Sequence, residues 1–294
     1  MAEPLTLSSS FWELALVPSI GGAVSRLSLV GRDVLRPLGA ELSEDAEAVR
    51  HSGGYMLAPY SNRIADARFP WDGSPIRLAR NFGDHPHSLH GFAWQRGWTV
   101  QASDPGSASL VLDHPADTDW PWRCRLRQIW RLNGLDATLT LEVENLDERD
   151  MPAGIGWHPY FLREGLDMAF RCKGVWLNDD RQLPRTHVDV PAEWDFDKRR
   201  PPGPATLDHC FTTWDSRVDL AWPSRGIAIS MTASEAFSHL VVFTPAGRDF
   251  VGIEPVSHAN DALNMADPVA AGMRRLPPGE RLTGHIHLTG EITP

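Results

Sequence analysis

Apolar and polar residues alternate along several segments of the chain. In residues 137–144 the odd positions are apolar and the even positions are polar, and residues 123–132 alternate largely in the same way between apolar side chains and arginines. Successive side chains of a strand point to opposite faces, so this pattern predicts half-buried β-strands. Further strands are predicted at residues 110–112, 227–231, 240–243 and 282–288.

Other segments depart from this alternation. A short helix is predicted at residues 42–50, where Ser43 can accept hydrogen bonds from the free amides of the first turn. The Pro-rich residues 184–204 are predicted to form a long surface loop. The arginines of residues 123–131 could form a phosphate-binding face, but we favour a solvated strand face that pairs with Glu142 and Glu144 of the next strand.

The composition agrees with a fold made mainly of strands. Gly and Pro number 24 each among 294 residues, which exceeds their usual combined share of about 12%. This excess favours many turns over long helices and therefore an all-β class. No repeat or low-complexity tract divides the chain, and its length allows either one large β domain or two smaller ones.

Charge and cysteine content exclude several classes of partner. The net charge of −10 predicts an acidic surface that repels phosphate backbones and anionic lipids, so we expect neither nucleic acid nor membrane as a partner. The three cysteines are far apart and form no Cys-Xaa-Xaa-Cys motif, which argues against a disulfide framework or a zinc ribbon.

The first residues lack a basic and apolar leader, and no apolar run approaches 18 residues, so the prediction is a cytoplasmic protein.

Motifs for the common cofactors are absent from the sequence. There is no Gly-rich dinucleotide or P-loop motif and no nucleophile elbow. Two His-Xaa-His pairs, His85 with His87 and His285 with His287, could each present two imidazoles to a metal ion from a strand, as in cupin-like barrels. Suitable acidic residues do not follow His87, and the second pair lies on a polar strand face, so we predict no metal site and no cofactor.

Four short segments carry more functional groups than a β-scaffold requires. They are residues 59–64, 88–92, 156–161 and 252–255, and each places a polar or ionisable side chain beside Gly or Pro. His158 and Glu254 both precede a proline, which restricts their backbones to extended conformations and so directs their side chains.

In this order, the four segments resemble the aldose 1-epimerase (galactose mutarotase-like) family. The resemblance covers nearly the whole chain, from the Gly-Gly turn within residues 18–22 to the Pro-Gly-Glu turn at residues 278–280. It implies one domain over residues 1–294. The implied fold is a large twisted antiparallel β-sandwich (the galactose mutarotase-like supersandwich) with few short helices and a sugar cleft on one sheet.

The same resemblance implies a set of catalytic and substrate-binding residues. These are Glu254 as the general base, His158 as the general acid, His90 as a second active-site histidine, Arg63 after Asn62 as a substrate-binding arginine, and Asp208 as an acceptor for sugar hydroxyls.

Tryptophans are a further candidate for sugar contact. The chain has 12 of them, and an indole offers an apolar face to the C–H surface of a sugar. We expect Trp157, beside His158, and Trp94 to lie near the cleft, while most others fill the core.

The implied reaction explains the choice of residue types. Interconversion of α and β anomers requires one proton to leave the C1 hydroxyl while another reaches the ring oxygen. A carboxylate and an imidazolium supply this pair, and such groups contribute about 10²–10⁴-fold to rate. We expect a bell-shaped pH profile with its acid limb set by Glu254 and its alkaline limb by His158.

The expected partner is therefore a free monosaccharide. Three alternatives stay open on the residues alone. They are a hexose-6-phosphate 1-epimerase of the same fold, a non-catalytic sugar-binding protein and a cupin-like metal-dependent isomerase. A sugar-phosphate enzyme needs a basic cluster, whereas only Arg63, Arg77 and Arg80 lie near the motifs.

Metal independence is the first testable prediction. Proton transfer between Glu254, His158 and sugar needs no metal, so dialysis against EDTA should leave the rate of mutarotation unchanged in a polarimetric assay. Activity that is lost on chelation and restored by Zn²⁺ or Mn²⁺ would favour the cupin-like alternative.

Overall fold

Two large antiparallel sheets form the framework of the protein. A computed structural model describes residues 4–39, 46–204 and 206–293. Strands are numbered in chain order. The first sheet has 11 strands, in the order β1 (Leu5–Ser8), β2 (Trp12–Val17), β3 (Ala23–Leu29), β5 (Gly54–Leu57), β15 (Gly156–Leu162), β23 (Phe250–Val256), β22 (His239–Phe243), β19 (Asp208–Thr212), β17 (Gly174–Asn178) and β18 (Pro184–Asp189), with β4 (Arg32–Asp33) beside β3.

The second large sheet and three small ones complete the strand structure. The second sheet has eight strands, in the order β10 (Thr99–Asp104), β11 (Ser107–His114), β12 (Cys124–Asn133), β13 (Asp136–Asn145), β25 (Arg281–Ile292), β21 (Ile227–Ala233), β20 (Arg217–Trp222) and β16 (Asp167–Phe170). The two-stranded sheets are β6 (Arg63–Ile64) with β9 (Ser88–Leu89), β7 (Arg68–Trp71) with β8 (Ser74–Arg77), and β14 (Met151–Ala153) with β24 (Arg274–Leu276).

Helices are short. One α-helical turn, α1, spans Ala46–Val49, and 3₁₀ turns lie at Ala65–Ala67, Ala93–Gln95, Ala192–Trp194, Pro223–Arg225 and Ala262–Asn264. The described part of the predicted helix at residues 42–50 is thus helical over Ala46–Val49, whereas its proposed cap, Ser43, lies outside the described residues. No helix of the described residues is long and apolar enough to cross a membrane. The cytoplasmic location and the single-domain organisation stay predictions.

The two large sheets pack face to face through aromatic side chains. The indole of Trp130 on β12 meets that of Trp157 on β15 edge to face, with ring centroids 5.8 Å apart. The Trp222 indole on β20 donates to the Leu162 carbonyl at 2.9 Å. The core therefore lies between the sheets, and the predicted all-β sandwich is confirmed, including the strands predicted from alternation.

The arginine-rich strand is a solvated, ion-paired face. Arg127 on β12 lies 3.0 Å from Glu144 and 3.4 Å from Glu142 on β13. Arg125 pairs instead with Asp113 on β11 at 2.6 Å. These cross-strand pairs confirm the interpretation favoured over a phosphate-binding face.

The surface loop predicted at residues 184–204 is only partly a loop. Its first residues form β18, which pairs with β17 at the edge of the first sheet, and a 3₁₀ turn follows at Ala192–Trp194. Proline is tolerated here because an edge strand leaves one row of amides unpaired.

One glycine is required where two backbone segments meet near β9. Gly91 has a left-handed φ of +68°, and a Cβ on it would lie 1.9 Å from the carbonyl oxygen of Ala58. The Ala58 carbonyl accepts the Phe92 amide at 3.1 Å. This close approach holds the segment 58–63 against residues 88–93.

Gly91→Ala should therefore destabilise the protein more than an alanine at a left-handed glycine that has open space around it. Gly73, in the β7–β8 turn, has φ +74° and nothing within 4 Å of a Cβ, so it is the matched control. Both variants carry the left-handed strain of about 1–2 kcal/mol, and Gly91→Ala adds a backbone clash of about 1–3 kcal/mol. Urea unfolding measures the difference, and equal losses for the two variants would contradict the steric argument.

Candidate active site

A carboxyl group and an imidazole lie side by side on adjacent strands in the middle of the first sheet. The register of β15 and β23 pairs Gly156 with Val256 and Tyr160 with Gly252, which places His158 opposite Glu254. His158 Nε2 and Glu254 Oε1 are 3.2 Å apart. Because the sheet backbone sets this register, the pair is held by hydrogen bonds outside the two side chains.

Burial determines the charge of this acid–base pair. His158 is 6% exposed and Glu254 is 2% exposed. Burial, together with the nearby Asp208, raises the pKa of the Glu254 carboxyl well above its usual range. Burial also lowers the pKa of His158 far below its usual range, and His90 and Arg36 add to this effect.

The two groups are close enough for an ion pair, but burial opposes both charges. We therefore assign a neutral carboxyl group beside a neutral imidazole in the free protein. The proton of the Glu254 carboxyl group can cross the 3.2 Å between Glu254 Oε1 and His158 Nε2. The pair is thus an adjoining acid and base that share one proton.

Arg63 lies at the side of the cavity, where acceptors hold its guanidinium. Asn62 Oδ1 accepts from Arg63 Nη1 at 3.0 Å, and Asp208 Oδ2 lies 3.3 Å from Arg63 Nη2. The side-chain carbonyl of Gln182, in the β17–β18 turn, also accepts from Nη2. The guanidinium charge is thus offset within the site, and the carboxylate of Asp208 is oriented by it.

His90 is fixed as a neutral imidazole. Its Nδ1 accepts the backbone amide of Asn62 at 3.0 Å, so the ring proton is on Nε2. Burial lowers the pKa of His90 to about 3, and the nearby Arg63 and Arg50 contribute to the shift. The His90 ring lies 5.5 Å from that of His158, at an angle of 77°. His90 can therefore donate a hydrogen bond beside the acid–base pair.

These side chains surround one cavity of about 250 Å³. This is below the 300–1,000 Å³ typical of drug-sized ligands and suits a single small molecule. All of the site residues expected from the sequence line it except the two tryptophans, Trp157 and Trp94. Side chains that sequence reasoning did not select also line it: Arg50, Tyr55, Phe82, His85, Leu89, Tyr160, Gln182 and Phe243.

A larger cavity of about 650 Å³ lies elsewhere, between β1, β2 and the β10–β11 turn. Its charged side chains include Glu13 and Arg26, which pair with each other at 3.3 Å. It contains no buried acid–base pair among its lining residues. The smaller cavity on the first sheet is therefore the candidate active site.

The structure corrects the expectation for Trp157. Side chains alternate along β15, so Trp157 points into the core between the sheets when His158 points into the cavity. Trp157 is 1% exposed and packs against Trp130. Trp94 also does not line the cavity, since it lies behind Tyr55 at 5.9 Å between ring centroids. The same alternation puts Tyr160 on the face of His158, a signal that was present in the sequence.

The His-Xaa-His pairs have partners of their own. His285 and His287 bond to Thr140 and Thr138 on the neighbouring strand β13, at 2.9 and 3.0 Å. His87 Nδ1 accepts the Asp66 amide at 3.0 Å. In residues 4–39, 46–204 and 206–293, no group of three or more His, Cys, Asp and Glu side chains is arranged to hold a metal ion.

The sequence matches the model of the aldose 1-epimerase family over residues 6–289. The chain belongs to the aldose 1-epimerase family. The uncharacterized protein YphB of Escherichia coli K12 is 29% identical to this family member over 246 residues, which are 81% of this chain and 83% of YphB.

Solved structures of related proteins share its fold. The crystal structure of the b2544 protein of Escherichia coli K12 has a TM-score of 0.90 and 28% identity over 99% of each chain. A galactose mutarotase-like protein of Clostridium acetobutylicum has a TM-score of 0.87 and 19% identity, with coverage of 98% of this chain and 95% of the other.

Glu254→Gln should stabilise this aldose 1-epimerase family member at neutral pH. The raised pKa of Glu254 means that the ionised carboxylate of the unfolded chain must take up a proton on folding. This cost is small below about pH 4, where the unfolded carboxyl is protonated too, and grows as the pH rises toward the folded pKa. Glutamine takes up no proton, so the gain in urea midpoint over wild type should increase from pH 4 to pH 7.

Glu291→Gln is the matched control, because Glu291 is exposed. Its effect on stability should be small at both pH values. A Glu254→Gln effect with no dependence on pH would contradict the raised pKa.

Proposed function

We propose that this protein interconverts the α and β anomers of a free aldose by acid–base ring opening and closure. The observation that carries the proposal is the buried pair of Glu254 and His158, 3.2 Å apart on the wall of a cavity of monosaccharide size. The ring oxygen O5 and the hydroxyl oxygen O1 of an aldose are both bonded to C1. An acid and a base on adjacent strands can therefore reach both oxygens at once.

Ring opening uses the form of the pair in which the proton is on His158. The Glu254 carboxylate takes the proton of the C1 hydroxyl, and the electron pair of that O–H bond forms the aldehyde. The C1–O5 bond breaks, its electrons stay on O5, and O5 takes the proton of His158 Nε2. The step leaves a neutral carboxyl beside a neutral imidazole, which is the state that burial favours.

Ring closure on the opposite face of the aldehyde is the reverse of these transfers. Rotation about C1–C2 presents the other face of the carbonyl to the C5 hydroxyl. His158 then accepts the C5 hydroxyl proton while Glu254 returns a proton to O1. The pair finishes in the state from which it began, so each turnover needs no external acid or base.

Other side chains position the sugar. Asp208 uses one carboxylate oxygen to accept from Arg63 and has the other for a sugar hydroxyl. His90 has its Nε2 proton to donate, since Nδ1 is engaged by the backbone of Asn62. In this proposal Asn62 and Arg63 hold the binding groups in place and His90 assists at the ring oxygen.

Of the alternatives, we rank a hexose-6-phosphate 1-epimerase lower because both arginines that line the cavity already have partners within the protein. The Arg50 guanidinium stacks on the Phe82 ring at 4.2 Å. Arg63 is already engaged by Asn62, Asp208 and Gln182. A polarimetric or NMR screen of freshly dissolved α-anomers should therefore show faster exchange of free aldoses than of their 6-phosphates. A kcat/KM at least tenfold higher for a 6-phosphate would replace the proposal with this alternative. A chain that binds sugars without accelerating exchange would be a binding protein.

The assigned roles predict a specific set of mutational effects. Glu254→Gln cannot take a proton, so kcat should fall about 10²-fold or more while sugar binding persists. His158→Asn should have a similar effect, and the double variant should be little worse than either, because both residues serve one transfer. His90→Asn should cost less. Near-normal mutarotation by a folded Glu254→Gln variant would show that the Glu254 carboxyl has a structural role and is not the general base.

The shifted pKa values of the pair support an origin of the pH limbs that differs from the sequence-based expectation. Because the pKa of Glu254 is raised and that of His158 is lowered, the pair gains a second proton on His158 at low pH and loses its single proton from Glu254 at high pH. The acid limb of kcat/KM therefore belongs to His158 and the alkaline limb to Glu254, the reverse of the sequence-based expectation.

A further inference from the structure

Two tyrosine hydroxyls meet beside the acid–base pair. Tyr55 lies on β5 directly opposite His158, and Tyr160 follows His158 by two residues on β15, so both rings face the cavity. Their hydroxyl oxygens are 3.2 Å apart. The ring of His158 lies 5.0 Å from that of Tyr55 and 4.5 Å from that of Tyr160.

Packing holds this tyrosine pair in place. The guanidinium of Arg36 stacks on the Tyr160 ring at 4.4 Å and donates to the backbone carbonyls of Arg50 and Ser52. The ring of Tyr160 also meets that of Phe250 edge to face at 4.8 Å. The hydroxyls are therefore presented to the cavity in a preformed position, which lowers the entropic cost of binding a ligand.

The tyrosine pair has hydrogen-bonding capacity to spare. Two hydroxyls carry two protons, and the bond between them uses one. Over the described ranges, neither oxygen has another hydrogen-bond partner. Burial raises the pKa of Tyr160 to about 12 and that of Tyr55 well above its usual value, so both groups stay neutral at physiological pH. One donor and several lone pairs remain for a neutral hydroxyl of a ligand.

Strand order sets the direction in which a sugar lies. The order β5, β15, β23, β22, β19 places Tyr55, His158 and Glu254 on three successive strands. In the proposed reaction Glu254 on β23 exchanges a proton with O1, and His158 on β15 exchanges a proton with O5. Continuing from O5 toward β5, the next ring atom is C5, and its C6 substituent lies over β5. The opposite direction leads from C1 to C2 and C3 over β22 and β19, where Asp208 lies.

Gly252 leaves the space for a ring in this orientation. It lies between Tyr160 on β15 and Phe243 on β22 in the strand register. A Cβ at Gly252 would be 3.0 Å from Glu254 Oε1 and 3.2 Å from the Phe243 side chain. The absence of a side chain there keeps the surface beside the acid–base pair open.

We infer that Tyr55 and Tyr160 form the subsite for the C6 hydroxyl of an aldohexose. This inference rests on the proposed function, because the roles of Glu254 and His158 orient the ring. It assigns the two tyrosines as substrate-binding residues and places the C2 and C3 hydroxyls on the side of Asp208.

The test combines removal of a hydroxyl from the enzyme with removal of a hydroxyl from the sugar. Tyr55→Phe and Tyr160→Phe are measured on D-glucose and on its 6-deoxy and 2-deoxy analogues, and the same is done in the D-galactose series. The readout is the ratio of wild-type to variant kcat/KM for each sugar. Tyr60→Phe is the matched control, since Tyr60 is the only other tyrosine and its hydroxyl bonds to Ser88 outside the cavity.

A C6 subsite predicts a ratio of about tenfold for the parent sugar, as expected for one hydrogen bond. The ratio should fall to about one for the 6-deoxy sugar and stay about tenfold for the 2-deoxy sugar. Tyr60→Phe should give a ratio near one on all three. Two separate tyrosine variants, each checked by thermal melting, guard against a variant that fails to fold.

Other outcomes separate the two proposals. Equal ratios for the parent and 6-deoxy sugars in an active enzyme would overturn the subsite and leave the proposed function standing. A ratio that falls to about one for the 2-deoxy sugar but not for the 6-deoxy sugar would indicate the reverse orientation of the sugar ring. That result would also overturn the subsite. A folded wild-type chain that accelerates exchange of none of these sugars would overturn both.

Discussion

Burial of a carboxyl group next to an imidazole is the constraint around which this protein is arranged. Neither group is easily charged away from water, so Glu254 and His158 share one proton instead of forming a stable ion pair. In the proposed reaction, transfer of the shared proton to His158 makes His158 the acid and Glu254 the base. Burial of this pair lowers the stability of the free protein, as burial of catalytic groups commonly does.

The sheet supplies the precision that such a pair needs. His158 and Glu254 are cross-strand neighbours on central strands, and Tyr55 continues the same row on β5. Positions on paired strands are set by backbone hydrogen bonds, so their spacing does not depend on loops. The tryptophan-rich interface with the second sheet supports this row from behind.

Loops provide the remaining walls of the cavity. Residues 58–63 and 88–93 are held together by the contact of Gly91 with Ala58, and they carry Asn62, Arg63 and His90. The β17–β18 turn reaches across to Arg63 through Gln182. A rigid sheet thus carries the proposed chemistry, while the surrounding loops supply the other residues proposed to contact substrate.

The sequence by itself determined the class of fold and most of the residues proposed for the chemistry, because both follow from local patterns. Period-2 alternation showed β12, β13 and β25 directly, and the motifs around His90, His158 and Glu254 showed the family. Tertiary structure decided what depends on register and on distant segments. It turned Trp157 into the core, brought Tyr55 and Gln182 to the cavity, and buried the carboxyl and imidazole groups of the acid–base pair together. These depend on which strands lie side by side and on how much water they exclude, and neither is a property of a local segment.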